Sequence, residues 1–209
     1  MIDLIDQIAK ARRELGTRGD ARTVLLRRTY DATPEDVWDA CTKPERLARW
    51  LGPVEGDLRL GGRFQVEGNA GGEILRCDAP NLLAVSWVFG ENPATNTSEV
   101  VVTLSPASGG TTEFQLEHVA VDVDPEHWAK FGPGAVGIGW DLSLLGLAAH
   151  LAKEESTLAP EELLQTPEAL EFIKRSGHAW GAAHEAAGAS PEEAAGARDR
   201  TVAVYTGAE

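Results

Sequence analysis

The sequence predicts an α+β fold: a curved antiparallel sheet of six to seven strands wrapped around one long C-terminal helix, with an appended helical tail. Three observations carry this. Residues 54–119 break into short runs rich in β-branched and aromatic side chains, divided by glycine- and proline-bearing turns. Residues 137–154 carry one apolar stripe at helical spacing. After residue 154 the texture turns alanine-rich and acidic.

The elements follow in order. Ile2, Ile5, Ile8, Ala9, Arg12 and Leu15 sit at helical spacing and predict an amphipathic helix over 2–15, so that 1–21 forms an N-terminal helical segment. Thr17-Arg18-Gly19-Asp20 breaks it, and 22–30 reads as a strand with Val24, Leu26 and Tyr30 in period two. Thr33-Pro34-Glu35-Asp36 then supplies an N-cap hydroxyl, a proline at the first helical position and acids on the positive end of the dipole. Pro44 interrupts this helix, a second short one carries Leu47 and Trp50, and Gly52-Pro53 stops it. Strands are expected at 64–67, 73–77, 82–89, 99–105 and 111–119. The last alternates cleanly, with Phe114, Leu116 and His118 on one face and Glu113, Gln115 and Glu117 on the other. Residues 120–133 read as a loop. The long helix presents Trp140, Leu144, Leu147 and Leu151 to one side. Thr166-Pro167-Glu168 and Ser190-Pro191-Glu192-Glu193 open two more helices, with Gly188 as a stop between them.

Composition narrows the partners. The 209 residues carry a net charge of −14, which argues against nucleic acid and against anionic membrane surfaces. Residues 154–209 hold 11 acidic and 4 basic side chains, so about a quarter of the chain carries half the charge. Cys41 and Cys77 form no disulfide framework and no zinc spacing, and are expected as buried free thiols. Acids interrupt the apolar N-terminus, so a secretory signal is not expected, and no run approaches a membrane span. A cytoplasmic location is the expectation. Asn96-Thr97-Ser98 fits the glycosylation pattern, which without a secretion signal counts as chance.

Particular stretches resemble a known family. Tyr30-Asp31-Ala32-Thr33-Pro34-Glu35-Asp36-Val37-Trp38-Asp39-Ala40 and Pro44-Glu45-Arg46-Leu47-Ala48-Arg49-Trp50 resemble the first strand-to-helix step and second helix of the SRPBCC (START-like, birch-pollen-allergen-like) superfamily. Leu60-Gly61-Gly62-Arg63-Phe64, Gly72-Glu73-Ile74-Leu75 and Leu83-Ala84-Val85-Ser86-Trp87 look like the glycine-started strands of one branch. That branch is related to the C-terminal domain of the Aha-type activators of the heat-shock-protein-90 ATPase. Thr112-Glu113-Phe114-Gln115-Leu116-Glu117-His118, followed by Gly139-Trp140, completes the pattern over 22–153, leaving 154–209 as a helical extension. The resemblance implies a helix-grip fold with an apolar cavity between sheet and long helix. It implies binding of a lipid, polyketide or similar hydrophobic small molecule. Some members are cyclases or hydrolases acting on such ligands, and others act as protein-interaction modules. It carries over no universal catalytic set and no cofactor.

The inward faces assign Trp50, Phe64, Leu75, Trp87, Phe114, Leu116, His118, Trp140, Leu144 and Leu147 to ligand binding. The same residues are also what ordinary core packing uses. His118 is the one candidate for acid–base chemistry, and its other reading is a core histidine satisfied by backbone. Glu73 and Arg76 fall on opposite faces of their strand and read as surface charges. Asp122, Asp124, Glu126 and His127 hint at metal, but His127 and Pro133 stand where a calcium loop wants glycine and glutamate, so no metal is expected. Gly132, Gly134 and Gly137 spell G-x-G-x-x-G without a βαβ unit around it and read as a hinge, a candidate gate of the cavity mouth. The tail helix with Leu170, Phe172, Ile173 and Trp180 must bury its apolar face, on its own domain or on a second copy as a homodimer.

Overall fold

The computed structural model describes residues 4–90, 97–120, 123–154 and 160–208. A short helix, α1 (Leu4–Ala9), runs directly into β1 (Ala11–Arg18), which pairs antiparallel with β2 (Ala21–Tyr30) from Ala11↔Arg28 to Arg18↔Ala21. The helix expected over 2–15 therefore stops at Ala9, and the rest of that segment is a strand. Its helical spacing is outweighed because every position from Ala11 to Arg18 has a partner on β2, and propensity is a weak prior against tertiary pairing. Gly19, expected as a helix breaker, is the hairpin turn and takes φ +60°.

α2 (Pro34–Thr42) and α3 (Pro44–Leu47) follow. The Thr33 hydroxyl accepts the Asp36 N–H at 3.3 Å, capping α2 as its sequence predicts. A meander comes next: β3 (Val54–Gly56), β4 (Arg63–Val66), β5 (Gly71–Asp78), β6 (Leu82–Val88), β7 (Thr97–Pro106) and β8 (Thr112–Ala120). With β1 and β2 these make one antiparallel sheet in the order β1-β2-β8-β7-β6-β5-β4-β3. The described residues thus form eight strands where turn spacing counts six to seven. The additions are β1 and the three-residue β3.

The segment expected as a loop holds α4 (Pro125–Phe131), capped by Asp124, whose carboxylate accepts the Glu126 N–H at 3.0 Å. The cause is legible, since Asp-Pro-Glu repeats the start signal of α2. The long helix α5 (Gly134–Leu151) then crosses the concave face. Its buried Trp140, Leu144 and Leu147 join Val24 and Leu26 of β2 and Phe114 and Leu116 of β8 in one cluster. By length and composition α5 is apolar enough to cross a bilayer, with a mean hydropathy of 1.3, contrary to the expectation that no run approaches a span. Asp141 near its middle is ion-paired inside the protein, which marks α5 as a core helix.

The tail forms α6 (Pro160–Leu164), α7 (Pro167–Ala186) and α8 (Pro191–Thr206). Thr166 caps α7, and Ser190 with Glu193 makes the predicted capping box on α8. Ile173, Trp180 and Ala183 of α7 lie in the same buried cluster as the sheet and α5. Of the two covers expected for this apolar face, its own domain or a second copy, the first is the one Ile173, Trp180 and Ala183 take. Contact is close because glycine admits it: a Cβ on Gly137 of α5 would stand 2.2 Å from Cε2 of Trp180. Gly137 is therefore a packing glycine inside the helix rather than part of a hinge, while Gly132 makes the turn into α5 at φ +58°.

Gly137→Ala forces Trp180 off α5 and is expected to lower unfolding free energy by about 1–3 kcal/mol. Trp180→Ala leaves a cavity and takes one of the hydrogen bonds from Asp141, and should cost about 3–5 kcal/mol. Urea denaturation of both variants checks these values, and an unchanged midpoint for either contradicts the shared core.

Candidate functional site

The concave face of the sheet positions the candidate residues. Alternation along β8 sends Phe114, Leu116 and His118 inward, as the sequence predicts, and all three are buried. On α5, Trp140, Leu144 and Leu147 meet them and are buried as well. Trp50 is half-buried at the end of the short helical segment and donates its indole N–H to the Ala40 carbonyl at 2.9 Å. Phe64 and Trp87, on β4 and β6, are also half-buried.

Leu75 does not belong to this set. It is 46% exposed, and Ile74 occupies the inward position instead. The reason is a β-bulge: Ile74 pairs with Val85 and Arg76 with Ala84, so Leu75 is an extra residue and strict alternation fails there. Glu73 and Arg76 are exposed, with Arg76 ion-paired to Asp78. Cys41 is buried, its thiol pushed up to about 12 by desolvation, but Cys77 is exposed, contrary to the expectation for both. Asp122 and Asn96 lie outside the described residues, and no three His, Cys, Asp or Glu side chains group as metal ligands among those described.

The aromatic residues form a continuous wall. Phe64 and Trp87 rings stand 6.2 Å apart, Trp87 and Trp140 5.1 Å, and Trp140 meets His118 edge-on at 5.9 Å. Along β6 the inward positions change character. Val85 is buried, Trp87 is half-buried, and Phe89 just past the strand is 61% exposed.

At the inner end of this wall His118 is hydrogen-bonded on both ring nitrogens. The Trp140 indole N–H lies 2.9 Å from Nδ1. Indole can only donate, so Nδ1 accepts and the ring proton sits on Nε2. Nε2 therefore donates to Ser98 Oγ at 2.7 Å, and that hydroxyl donates to the Trp87 carbonyl at 2.8 Å. The result is a one-way chain from α5 through β8 and β7 to β6. Burial pushes the His118 pKa down from 6.5 to about 4, so the ring is neutral at pH 7. Sequence reading reached His118 but missed Ser98, whose role depends on a cross-strand neighbour; it was noted only within a glycosylation pattern.

The comparisons with known proteins agree with this architecture. The sequence profile of the family described as "Activator of Hsp90 ATPase homolog 1-like protein" matches residues 31–152. The chain belongs to that family. CalU16 from Micromonospora echinospora is 34% identical, covering 84% of this chain; the crystal structure is covered over 98% of its length with a TM-score of 0.64, the solution structure over 96% with 0.68. That likeness reaches beyond the 31–152 segment into the flanking elements. The Aha1 dimer from Colwellia psychrerythraea shares the fold at 14% identity, covering 64% of this chain and 98% of its own, with a TM-score of 0.53. No curated protein matches the chain.

The buried neutral histidine sets a pH dependence. In the unfolded chain His118 takes a proton near its ordinary 6.5, whereas in the folded chain it stays neutral down to about 4. Between these values the unfolded state binds the extra proton, so stability rises with pH across that window. This contribution, on the order of 3 kcal/mol, is complete at pH 7 and lost as pH falls from 6.5 to 4. His118→Gln should be less stable at pH 7 and should flatten that part of the profile. Denaturant midpoints from pH 7 to pH 4 measure it, and parallel profiles for both proteins would contradict the buried neutral ring.

Proposed function

We propose that the chain binds an apolar small molecule at the mouth of its sheet–helix interior, without acid–base chemistry at His118. One observation carries this reading: the aromatic wall opens outward. Phe64 and Trp87 are half-buried in contact with each other, Trp87 meets the buried Trp140, and Phe89, two residues on from Trp87 and just past the strand, is 61% exposed. Large rings in contact with each other yet reachable by solvent form a surface that gains by being covered. The resemblance to START-like proteins, which mostly bind hydrophobic molecules, supports the same reading. Deeper in, Phe114, Leu116, Leu144 and Leu147 fill the space between sheet and helix, so the ligand sits on the outer rings rather than along all the predicted residues.

His118 belongs to the frame of this site. Both its nitrogens are engaged, and a ring that protonates only near pH 4 is a weak base at neutral pH. The cyclase or hydrolase alternative would need that ring turned toward a ligand, which breaks two hydrogen bonds.

Titration with the neutral dye Nile red, followed by fluorescence, tests the proposal. Replacing both Trp87 and Phe89 by alanine should weaken binding at least tenfold, because the ligand loses two aromatic contacts. His118→Gln should bind the dye much as the parent does. Equal affinity of the Trp87/Phe89 double variant and the parent overturns the site.

A further inference from the structure

The inward face of β2 carries one buried charge. Val24, Leu26, Arg28 and Tyr30 alternate into the core, and Arg28 is only 6% exposed. Two other buried charges lie close by on the same side of the interior. Arg13 of β1 forks onto Asp141 of α5, both contacts at 2.9 Å. That pair neutralises itself, and Arg28 has no carboxylate within ion-pairing distance among the described residues. Among the described residues, the interior beside α5 therefore holds two guanidiniums and one carboxylate, a net buried charge of one positive unit.

Such a charge is costly without a counter-charge. The partners Arg28 does have are weak ones. Its Nη2 donates to the Gln7 amide oxygen at 2.7 Å, its Nη1 lies 3.4 Å from the Leu144 carbonyl, and its Nε has no acceptor. The guanidinium lies 4.5 Å over the Tyr30 ring. A planar fork with five donors and two neutral acceptors is suited to a carboxylate. Gln7 fills that place with a group of the same shape and no charge, and it is itself buried.

Gln7 lies on α1, a helix of six residues. A helix that short is not stable by itself, so tertiary contacts hold it. These include Gln7 on Arg28 and the Ile8 carbonyl accepting from Arg13 at 3.1 Å. We propose that Arg28 is an anion site for an apolar carboxylic acid, whose carboxylate replaces the Gln7 amide when α1 lifts from the sheet. Tyr30 and Phe114, the latter paired with Arg28 across β2 and β8, give the site apolar walls. Those walls select an acid with a hydrocarbon body over a hydrated anion such as phosphate. The site is independent of the aromatic wall, which lies three strands away on β6.

Calorimetric titration of the full chain with octanoate and with octanol tests this. Octanoate should bind at least tenfold more tightly than octanol, because only it supplies the missing charge. Gln7→Glu tethers a carboxylate where the ligand's would sit. It should raise the melting temperature and abolish the preference for octanoate. Equal affinity for the two probes, no binding of octanoate, or a preference that persists in Gln7→Glu each overturns the proposal. Nile red binding at the wall is read separately and does not depend on these outcomes.

Discussion

The carboxylate of Asp141 is the contact on which the rest of the structure depends. It is buried on the grip helix and accepts four hydrogen bonds: two from Arg13, one from the Ser176 hydroxyl and one from the Trp180 indole at 3.0 Å. These donors come from the first strand and from the seventh helix, so one residue joins the two ends of the chain to its middle. Breaking a buried pair by removing one partner leaves an uncompensated charge and costs about 3–5 kcal/mol. The arrangement also sets position. With Arg13 and Trp180 both held at Asp141, the rotation of α5 is fixed, and that rotation is what aims Trp140 at His118. The tail thus acts on the concave face through the helix between them.

Most of the fold is legible in the sequence because its signals are local. Caps at Thr33, Thr166 and Ser190 depend on residues within four positions, and each hydrogen bond forms as its spacing requires. The stripe on α5 and the alternation of β8 are equally local. What escapes is decided elsewhere in space. The segment from Ala11 to Arg18 carries a helical spacing and becomes a strand because β2 lies beside it. Which of the two expected covers the tail takes rests on Gly137 meeting Trp180 across a gap of more than forty residues.

The candidate site divides along the same line. Phe114, Leu116 and His118 are found by counting in twos. Leu75 is misplaced because one extra residue in a ladder inverts the count. Ser98 and Gln7 carry no pattern that marks them, and only folding brings them to His118 and Arg28. Arg28 itself had a signal. It is the one charge in the inward series Val24, Leu26, Arg28, Tyr30, and a charge in an apolar register is the kind of local conflict that marks a site of interest.

The two ends of the sheet have a consequence for how copies of this chain meet. A long bare edge strand is a template for another chain's backbone. Here one edge, β3, is three residues long. The other, β1, is lined with charge: Arg12 pairs with Glu14, Arg18 reaches Glu99 and Glu117, and α7 packs alongside. Neither edge offers a clean row of amides to a neighbour, so an eight-stranded sheet that could have been a seed for stacking is closed to continuation at both ends.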